Sequence, residues 1–531
     1  MKNLFKTVRH DVPSSIVVFL VAVPLCLGIA LGSKAPLFSG IIAGIVGGIV
    51  VGLLSKSPLS VSGPAAGLTA VVVAALGKLP GFESFLLAVV LAGVFQLILG
   101  YLKAGVIGDF VPNAVIKGML AAIGIILILK QFPHLVGYDA DFAGDESFNQ
   151  DNRENTFSGL AHALRAFTPA AMLIGGISFA ILLLWQTPVF KKSRVLQLIP
   201  APLVVVVLAV TLNQWFLSGF TNLGLESTHL VNLPIAEDLS AFLSFFTFPD
   251  FSSLNNYNVW TVALTIAIVA SLESLLCIEA IDKLDPFKRV TPSSRELKAQ
   301  GVGNIVSGLL GGIPITSVIV RSSVNLNAGA RSKASAILHG TLLLVSVIFI
   351  PKILNMIPLA ALAAILIHTG LKLANIKMIR NFYKQGWDQF VPFVTTVIAI
   401  LFTDLLIGIV IGLLVGLFFM IQSNFKSAVL VVNNQKNYLF RFRKDVSFLN
   451  KPIVKRKLQE IPENSHVLID TSRADFIDKD VIEAVNDFLS HAHLKNIRVE
   501  LKNGNHRQVN ELFKIPGAEI NSQFTTQTLQ H

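Results

Sequence analysis

Apolar residues run in blocks from about Pro13 to Gln422, separated by short polar or charged breaks. The blocks fall near 14–31, 37–54, 60–77, 85–101, 112–130, 169–186, 199–217, 258–281, 297–312, 314–328, 334–354, 357–371, 389–403 and 405–422. A helix needs about 20 apolar residues to cross a hydrocarbon core of about 30 Å. Most blocks are near that length, and those at 60–77 and 297–328 read as shorter or broken pieces. The pattern predicts an all-α membrane protein with fourteen helices. After Gln422 the pattern turns polar and mixed. Tyr438 to Arg443 reads as a strand, Val454 to Ile461 as a short helix and His466 to Asp470 as a buried strand. Asp480 to His491 reads as an amphipathic helix and Ile497 to Leu501 as a further strand, which together predict a small α/β domain.

Two blocks are interrupted by small residues and proline, at Ser62 to Thr69 and at Gly311 to Ser317. Gly and Pro break helices, and a broken helix at membrane depth leaves peptide groups that lipid cannot satisfy but a bound ion can. The bland alternative is a pair of kinked packing helices. Pro64 and Pro314 stand 250 positions apart, close to the 244 between the starts of the first and eighth blocks. Matched interruptions in two halves point to a transporter's central site, with the halves as 7+7 inverted repeats and two broken half-helices at their interface.

Composition and charge sharpen this picture. The chain of 531 residues is 53% hydrophobic and 14% charged, well below the roughly 25% charged of ordinary soluble domains. Its net charge is +11, but the basic residues sit in short loops between apolar blocks rather than on one face, which argues against nucleic acid. The connections near 131–168 and 218–257 are acidic; Arg153 and Arg165 face six acidic residues in the first, and the second has no Lys or Arg. Basic loops follow at Lys191, Lys192 and Arg194, at Lys283 to Lys298 and at Lys372 to Lys384. The alternation places the acidic loops outside and both termini in the cytoplasm. The short basic N-terminus lacks a convincing cleavage site, so the first block reads as a retained helix. Cys26 and Cys277 both lie in apolar blocks, so no disulfide framework is expected.

Glu273 is the one ionisable group between Val259 and Cys277. At 1.5 Å per residue it lies roughly 21 Å from the external end of its helix, near or somewhat inward of the midplane. A carboxylate there must be protonated, paired or bound to a cation. It reads as a proton carrier, as a Na⁺ ligand, or as a neutral acid hydrogen-bonded inside the bundle. Cys277 lies one turn on, on the same face. Arg321 follows the second interruption and reads as the neutraliser of an anion, a partner for Glu273, or a snorkelling cation. Helix N-termini at both interruptions would add free N–H donors and positive dipole ends. Thr69, Thr316 and Ser317 offer hydroxyls, unless these bond back to their own helices. There is no Walker A pattern and no catalytic set, so neither ATP-driven transport nor an enzyme is expected.

Pro24, Gly63-Pro64, Leu272-Glu273-Ser274, Pro314 through Arg321, Asn325 and Ala328-Gly329-Ala330-Arg331 resemble, in order, the pattern of the sulfate permease (SulP) family of anion transporters. The tail after residue 435 resembles the STAS domain that follows the transporter there. The resemblance implies a transmembrane domain over 1–425 divided into core and gate, a cytoplasmic STAS-like domain over 435–531, a homodimer, and alternating access. It also implies that Ala65, Ala66 and Thr69, with Ile315, Thr316, Ser317 and Val318, flank the anion, with Cys26 nearby. Glu273 would be the cation-linked acid, and Cys277 would stand where some bicarbonate-carrying members have a hydroxyl. A thiol is a poor ligand for a hard cation, which weakens a simple Na⁺ site. Asp478-Lys479-Asp480 replaces the Asp-Ser-Ser of many STAS domains, so their phosphorylatable serine is missing.

The expected function is secondary transport of a small inorganic oxyanion, bicarbonate or sulfate, coupled to H⁺ or Na⁺, in the inner (plasma) membrane. An uncoupled anion conductance, or a dicarboxylate carrier on the same scaffold, is the alternative. Pro24 to Gly28 and the modified tail lean by resemblance towards bicarbonate. Asp475, Asp478 and Asp480 are expected to face the cytoplasm and take no part in binding the anion.

Overall fold

The structure, a computed structural model, describes residues 4–142, 145, 148–149, 154–187, 200–219, 223–235, 242–426, 429–443, 445–474 and 476–502. The basic loop at Lys191 to Arg194, and Arg153, Glu237, Asp238 and Asp475, lie outside the described residues. The chain divides into two compact units, Met1–Gly416 and Leu417–His531.

In the first unit α1 covers Leu4–Gly32 and α2 covers Leu37–Val46. A three-residue strand β1, Ser62–Pro64, leads through a 3₁₀ turn at Ala66–Leu68 into α3, Thr69–Lys78. Then come α4 (Phe82–Tyr101), α5 (Asn113–Val136), α6 (Thr156–Arg165), α7 (Pro169–Leu184) and α8 (Ala201–Gly219). The second half runs α9 (Tyr257–Leu284), α10 (Ser293–Leu310), β2 (Ile315–Ser317), α11 (Ile319–Asn327) and α12 (Ala334–Phe349). It closes with α13 (Leu359–Leu373), α14 (Ile376–Gln385), α15 (Trp387–Phe402) and α16 (Leu405–Lys426). Eight described helices are long and apolar enough to cross a membrane, or nine if α6 and α7, bent by 111°, form one span. The bend falls at Pro169, which has no N–H to continue α6 and suits a first helical position.

Glycine sets how closely these helices approach. Gly93 of α4 and Gly301 of α10 face each other so tightly that a Cβ on Gly301 would stand 2.7 Å from the Gly93 carbonyl oxygen. Gly124 of α5 and Gly370 of α13 repeat the arrangement at 2.6 Å. In a membrane, such small-residue contacts let backbones pack where lipid provides no hydrophobic drive. A π-helical turn at Gly47–Val51 extends α2, and there Gly47 and Gly48 admit the backbones of Ser62 and Gly340.

The run at 297–312 forms one helix ahead of the interruption expected at Gly311 to Ser317. The break comes after it, at Gly311, whose φ of +91° suits a residue without a Cβ.

The second unit holds a four-stranded sheet in the order β3-β4-β5-β6. β3 (Val429–Asn434) and β4 (Asn437–Phe442) form an antiparallel hairpin, and β5 (His466–Asp470) and β6 (Arg498–Lys502) join in parallel. Helices α17 (Lys451–Gln459) and α18 (Lys479–Ala492) bury Val454, Leu458, Val481 and Val485 with Phe440, Phe442 and Ile469 of the sheet. The hairpin begins ahead of residue 435, so the boundary expected from the sequence falls between β3 and β4. Asp478 caps α18, its side chain accepting from the Asp480 N–H.

Candidate functional site

The two interrupted segments meet. β1 and β2 pair antiparallel, with Ser62 opposite Ser317, Gly63 opposite Thr316 and Pro64 opposite Ile315. All six residues are buried, and each strand is followed by a turn or residue that leads into the N-terminus of a helix, α3 or α11. Helix breakers in the sequence thus produce a short sheet inside the bundle, where each strand satisfies part of the other's backbone.

Arg321, in the first turn of α11, is fully buried. Its Nη2 reaches the Pro64 carbonyl at 3.5 Å, a marginal contact, and Nε and Nη1 have no hydrogen-bond partner among the described residues. The Cys26 thiol stands beside the guanidinium. A Cβ on Gly63 would overlap Nη1, so glycine opposite Thr316 is what makes room for the cation. No described carboxylate pairs with Arg321, so the expected alternative of an Arg321–Glu273 ion pair is not formed.

Arg321, Ala66 and Val318 line a cavity together with Ile29 of α1, Lys130 and Asp145. Its volume is about 20 Å³, room for about one water and too little for sulfate without movement. Ala65, Ile315, Thr316 and Ser317 are buried behind this lining rather than in it. The Thr316 hydroxyl donates to the Ser317 carbonyl at 3.3 Å, and the Ser317 hydroxyl bonds Ser60. Cys26 packs against Gly40 and Gly44 of α2, and Thr69 opens α3 half-buried.

Glu273 lies on the other side of the 3₁₀ turn. A Cβ on Gly67 would stand 3.1 Å from its Oε1, and the two line a second, smaller cavity of about 10 Å³ with Met119 of α5 and Leu405 of α16. Cys277 is buried, its sulfur 3.9 Å from the Ser322 hydroxyl.

A polar row on α10 underpins the strand pair. Glu296, Gln300 and Asn304 recur every four residues on one buried face. Glu296 bonds Ser55, and Gln300 Nε2 donates to Glu296 at 2.8 Å and to Ser62 at 2.7 Å. Asn304 Oδ1 accepts from the Ile315 N–H at 2.6 Å, while Nδ2 donates to the Ile315 carbonyl at 3.0 Å and to Gln96 at 2.7 Å. The i, i+4, i+8 spacing of these residues was the available signal.

Beyond the end of α5, Asp139 accepts from His134 at 2.5 Å and His229 at 2.6 Å. Burial opposes ionisation of Asp139, but these two hydrogen bonds outweigh it and hold the carboxyl below its usual range. The bond to Asp139 in turn raises His229. Asp141 is pushed up to about 6, chiefly by burial and then by Asp145.

The Sulfate permease family profile matches residues 8–395. "Putative sulfate transporter YvdB" of Bacillus subtilis is 27% identical over 83% of this chain and 78% of its own length. The "Bicarbonate transporter BicA" of a Picosynechococcus strain is 24% identical, over 78% of this chain and 70% of its own. The fold is similar to that of SLC26A9, with a TM-score of 0.67 at 16% identity over 96% of this chain and 86% of that one. It is also similar to the transmembrane domain of BicA, with a TM-score of 0.53 at 21% identity over 78% of this chain and 98% of that one. With many apolar helices in this fold and a profile match over most of its length, the chain belongs to the sulfate permease family of anion transporters and is not an enzyme.

Proposed function

We propose that the chain is a secondary active transporter of a small inorganic oxyanion, sulfate or bicarbonate, and that H⁺ or Na⁺ is coupled through Glu273. The carrying observation is the buried Arg321 guanidinium, with two nitrogens lacking partners, in the wall of a cavity beside the β1–β2 pair. A buried, uncompensated cation costs several kcal/mol unless an anion visits it. Ala66 and Val318 stand at the first turns of the two half-helices, whose N–H groups and positive ends favour the same charge. Ala65, Thr69, Ile315, Thr316, Ser317 and Cys26 shape the site from behind or beside it. The names of YvdB and BicA make sulfate and bicarbonate the candidate substrates.

In this reading the fourteen apolar segments form two inverted sevens, both termini are cytoplasmic, and the protein is a plasma-membrane homodimer. The units work by moving core against gate, with the C-terminal sheet as a STAS-like regulatory or assembly domain. The full chain in proteoliposomes tests it. Labelled sulfate uptake should saturate, be inhibited by bicarbonate, and accumulate under an imposed H⁺ or Na⁺ gradient. Absence of saturable sulfate uptake and of bicarbonate-driven exchange under every such gradient refutes it.

A further inference from the structure

One buried cation has no role in the mechanism above. Lys130 lies two turns before the end of α5 and is 7% exposed. Its ammonium stands 2.6 Å from Asp145 Oδ2 and 3.3 Å from Asp141 Oδ2. Taken alone, the triad reads as a structural brace. Its position argues otherwise, because Lys130 and Asp145 line the same cavity as Arg321, Ala66 and Val318. The lining therefore carries a guanidinium paired with no described carboxylate and an ammonium covered by two.

An aspartate carboxylate is chemically a small planar oxyanion. It presents two oxygens on a trigonal carbon, as bicarbonate does, and the same charge-assisted acceptors as sulfate. A lysine ammonium, with three rotatable donors and no fixed fork, exchanges one such acceptor for another with little geometric penalty. An anion that reached the cavity with both carboxylates in place would meet their repulsion beside the ammonium.

We propose that Lys130 is a second cationic contact for the transported anion, and that Asp145 and Asp141 occupy it in the anion's stead in this conformation. The inference rests on reading the cavity as the anion's site. It makes a demand that a brace does not: removing the lysine and removing a carboxylate should move anion affinity in opposite directions. Lysine loss removes a contact, whereas carboxylate loss removes a competitor.

The test uses the full chain and its Lys130→Gln, Asp145→Asn and Asp141→Asn variants. Affinity is read from the sulfate-dependent shift in thermal unfolding of the detergent-solubilised protein, and KM from labelled sulfate uptake. Lys130→Gln should weaken apparent affinity about tenfold, and Asp145→Asn should strengthen it about threefold or more. Changes in the same direction, or none in either variant, overturn the inference. So does a parent protein that neither sulfate nor bicarbonate stabilises. Should Lys130→Gln fail to fold, Asp145→Asn decides alone, tighter binding supporting the inference and equal or weaker binding refuting it. If the parent binds anion with these opposite shifts yet transports none, the proposed function falls and Lys130 keeps its role as a binding residue.

Discussion

Asn304→Ala tests whether the polar row on α10 holds the strand pair in place. Ile315 sits opposite Pro64, which has no N–H to offer across the ladder. The Asn304 amide serves instead, binding both the N–H and the carbonyl of Ile315 and also Gln96. Ile315, Asn304 and Gln96 are all fully buried. Truncation leaves one donor and two acceptors without partners, at about 1–3 kcal/mol each in a dry site. Hydrogen bonds between membrane helices average only about 0.6 kcal/mol when the unfolded reference state finds other partners, which sets a floor near 2 kcal/mol for three bonds. If water follows into the space left by the amide, the loss should sit near the floor. A dry cavity should bring it to about 4 kcal/mol or more. Thermal unfolding in detergent should therefore drop by several degrees, and sulfate uptake should fall further than stability alone explains, because β2 and the start of α11 lose their register. An Asn304→Ala protein that melts within about 1 °C of the parent and transports at its rate would show that β1 and β2 need no such support.

Glu273→Gln should fold normally and still exchange anion for anion, while losing accumulation driven by the cation gradient; undiminished accumulation removes Glu273 from the coupling role. Gly63→Ala would overlap the Arg321 guanidinium, since a Cβ there meets Nη1, and should raise the KM for sulfate by about tenfold or more, whereas an unchanged KM would place the anion away from Arg321. The pH dependence follows from Asp139 and His229. Asp139 is held below its ordinary 3.8, so its contribution is present above that value and is lost as pH falls through the depressed one. His229 is raised above 6.5, so its contribution is full below 6.5 and is lost as pH rises through the raised value. His229→Gln should accordingly melt lower than the parent at pH 6 and converge with it by about pH 9; an equal difference at both values refutes the pairing.

The interruptions at Pro64 and Pro314 were legible because helix breakers within apolar blocks have few other meanings. Arg321 and Glu273 were legible because a lone charge in such a block is expensive. Their separation was not legible, since one-dimensional spacing does not say that the 3₁₀ turn at Ala66–Leu68 stands between them. Lys130 closes an apolar block, so it counted as a span end, and Asp141 and Asp145 counted only as loop charge. The tertiary fold alone brings Lys130 and Asp145 into the cavity of Arg321, with Asp141 beside the ammonium. Glu296, Gln300 and Asn304 do not stand out in the hydropathy of the run, but their four-residue period marks a helix face turned towards protein rather than lipid. In the tail, β3 is a short apolar run just after the last membrane block, and only its pairing with β4 reveals it as a strand.

The turn between β1 and α3 offers a physical route for coupling. Ala66 lines the cavity of Arg321, and its neighbour Gly67 lines that of Glu273. Two ligands separated by one peptide unit need no long pathway; each has only to bias the same turn. A charged Glu273 without its cation is disfavoured at this depth, and its neutralisation lets the carboxyl settle against Gly67, where a Cβ would already stand 3.1 Å from Oε1. Under the proposed function, that settling would bias the start of α3 and the backbone carrying Ala66, which lines the cavity of Arg321. The same logic runs in reverse, because an anion ordering Ala66 lowers the cost of neutralising Glu273, and reciprocity makes the two effects equal in free energy. Cation and anion would then bind cooperatively without touching. Under the proposed function, glycine at 67 leaves the carboxylate this room, since a Cβ there would stand 3.1 Å from Oε1.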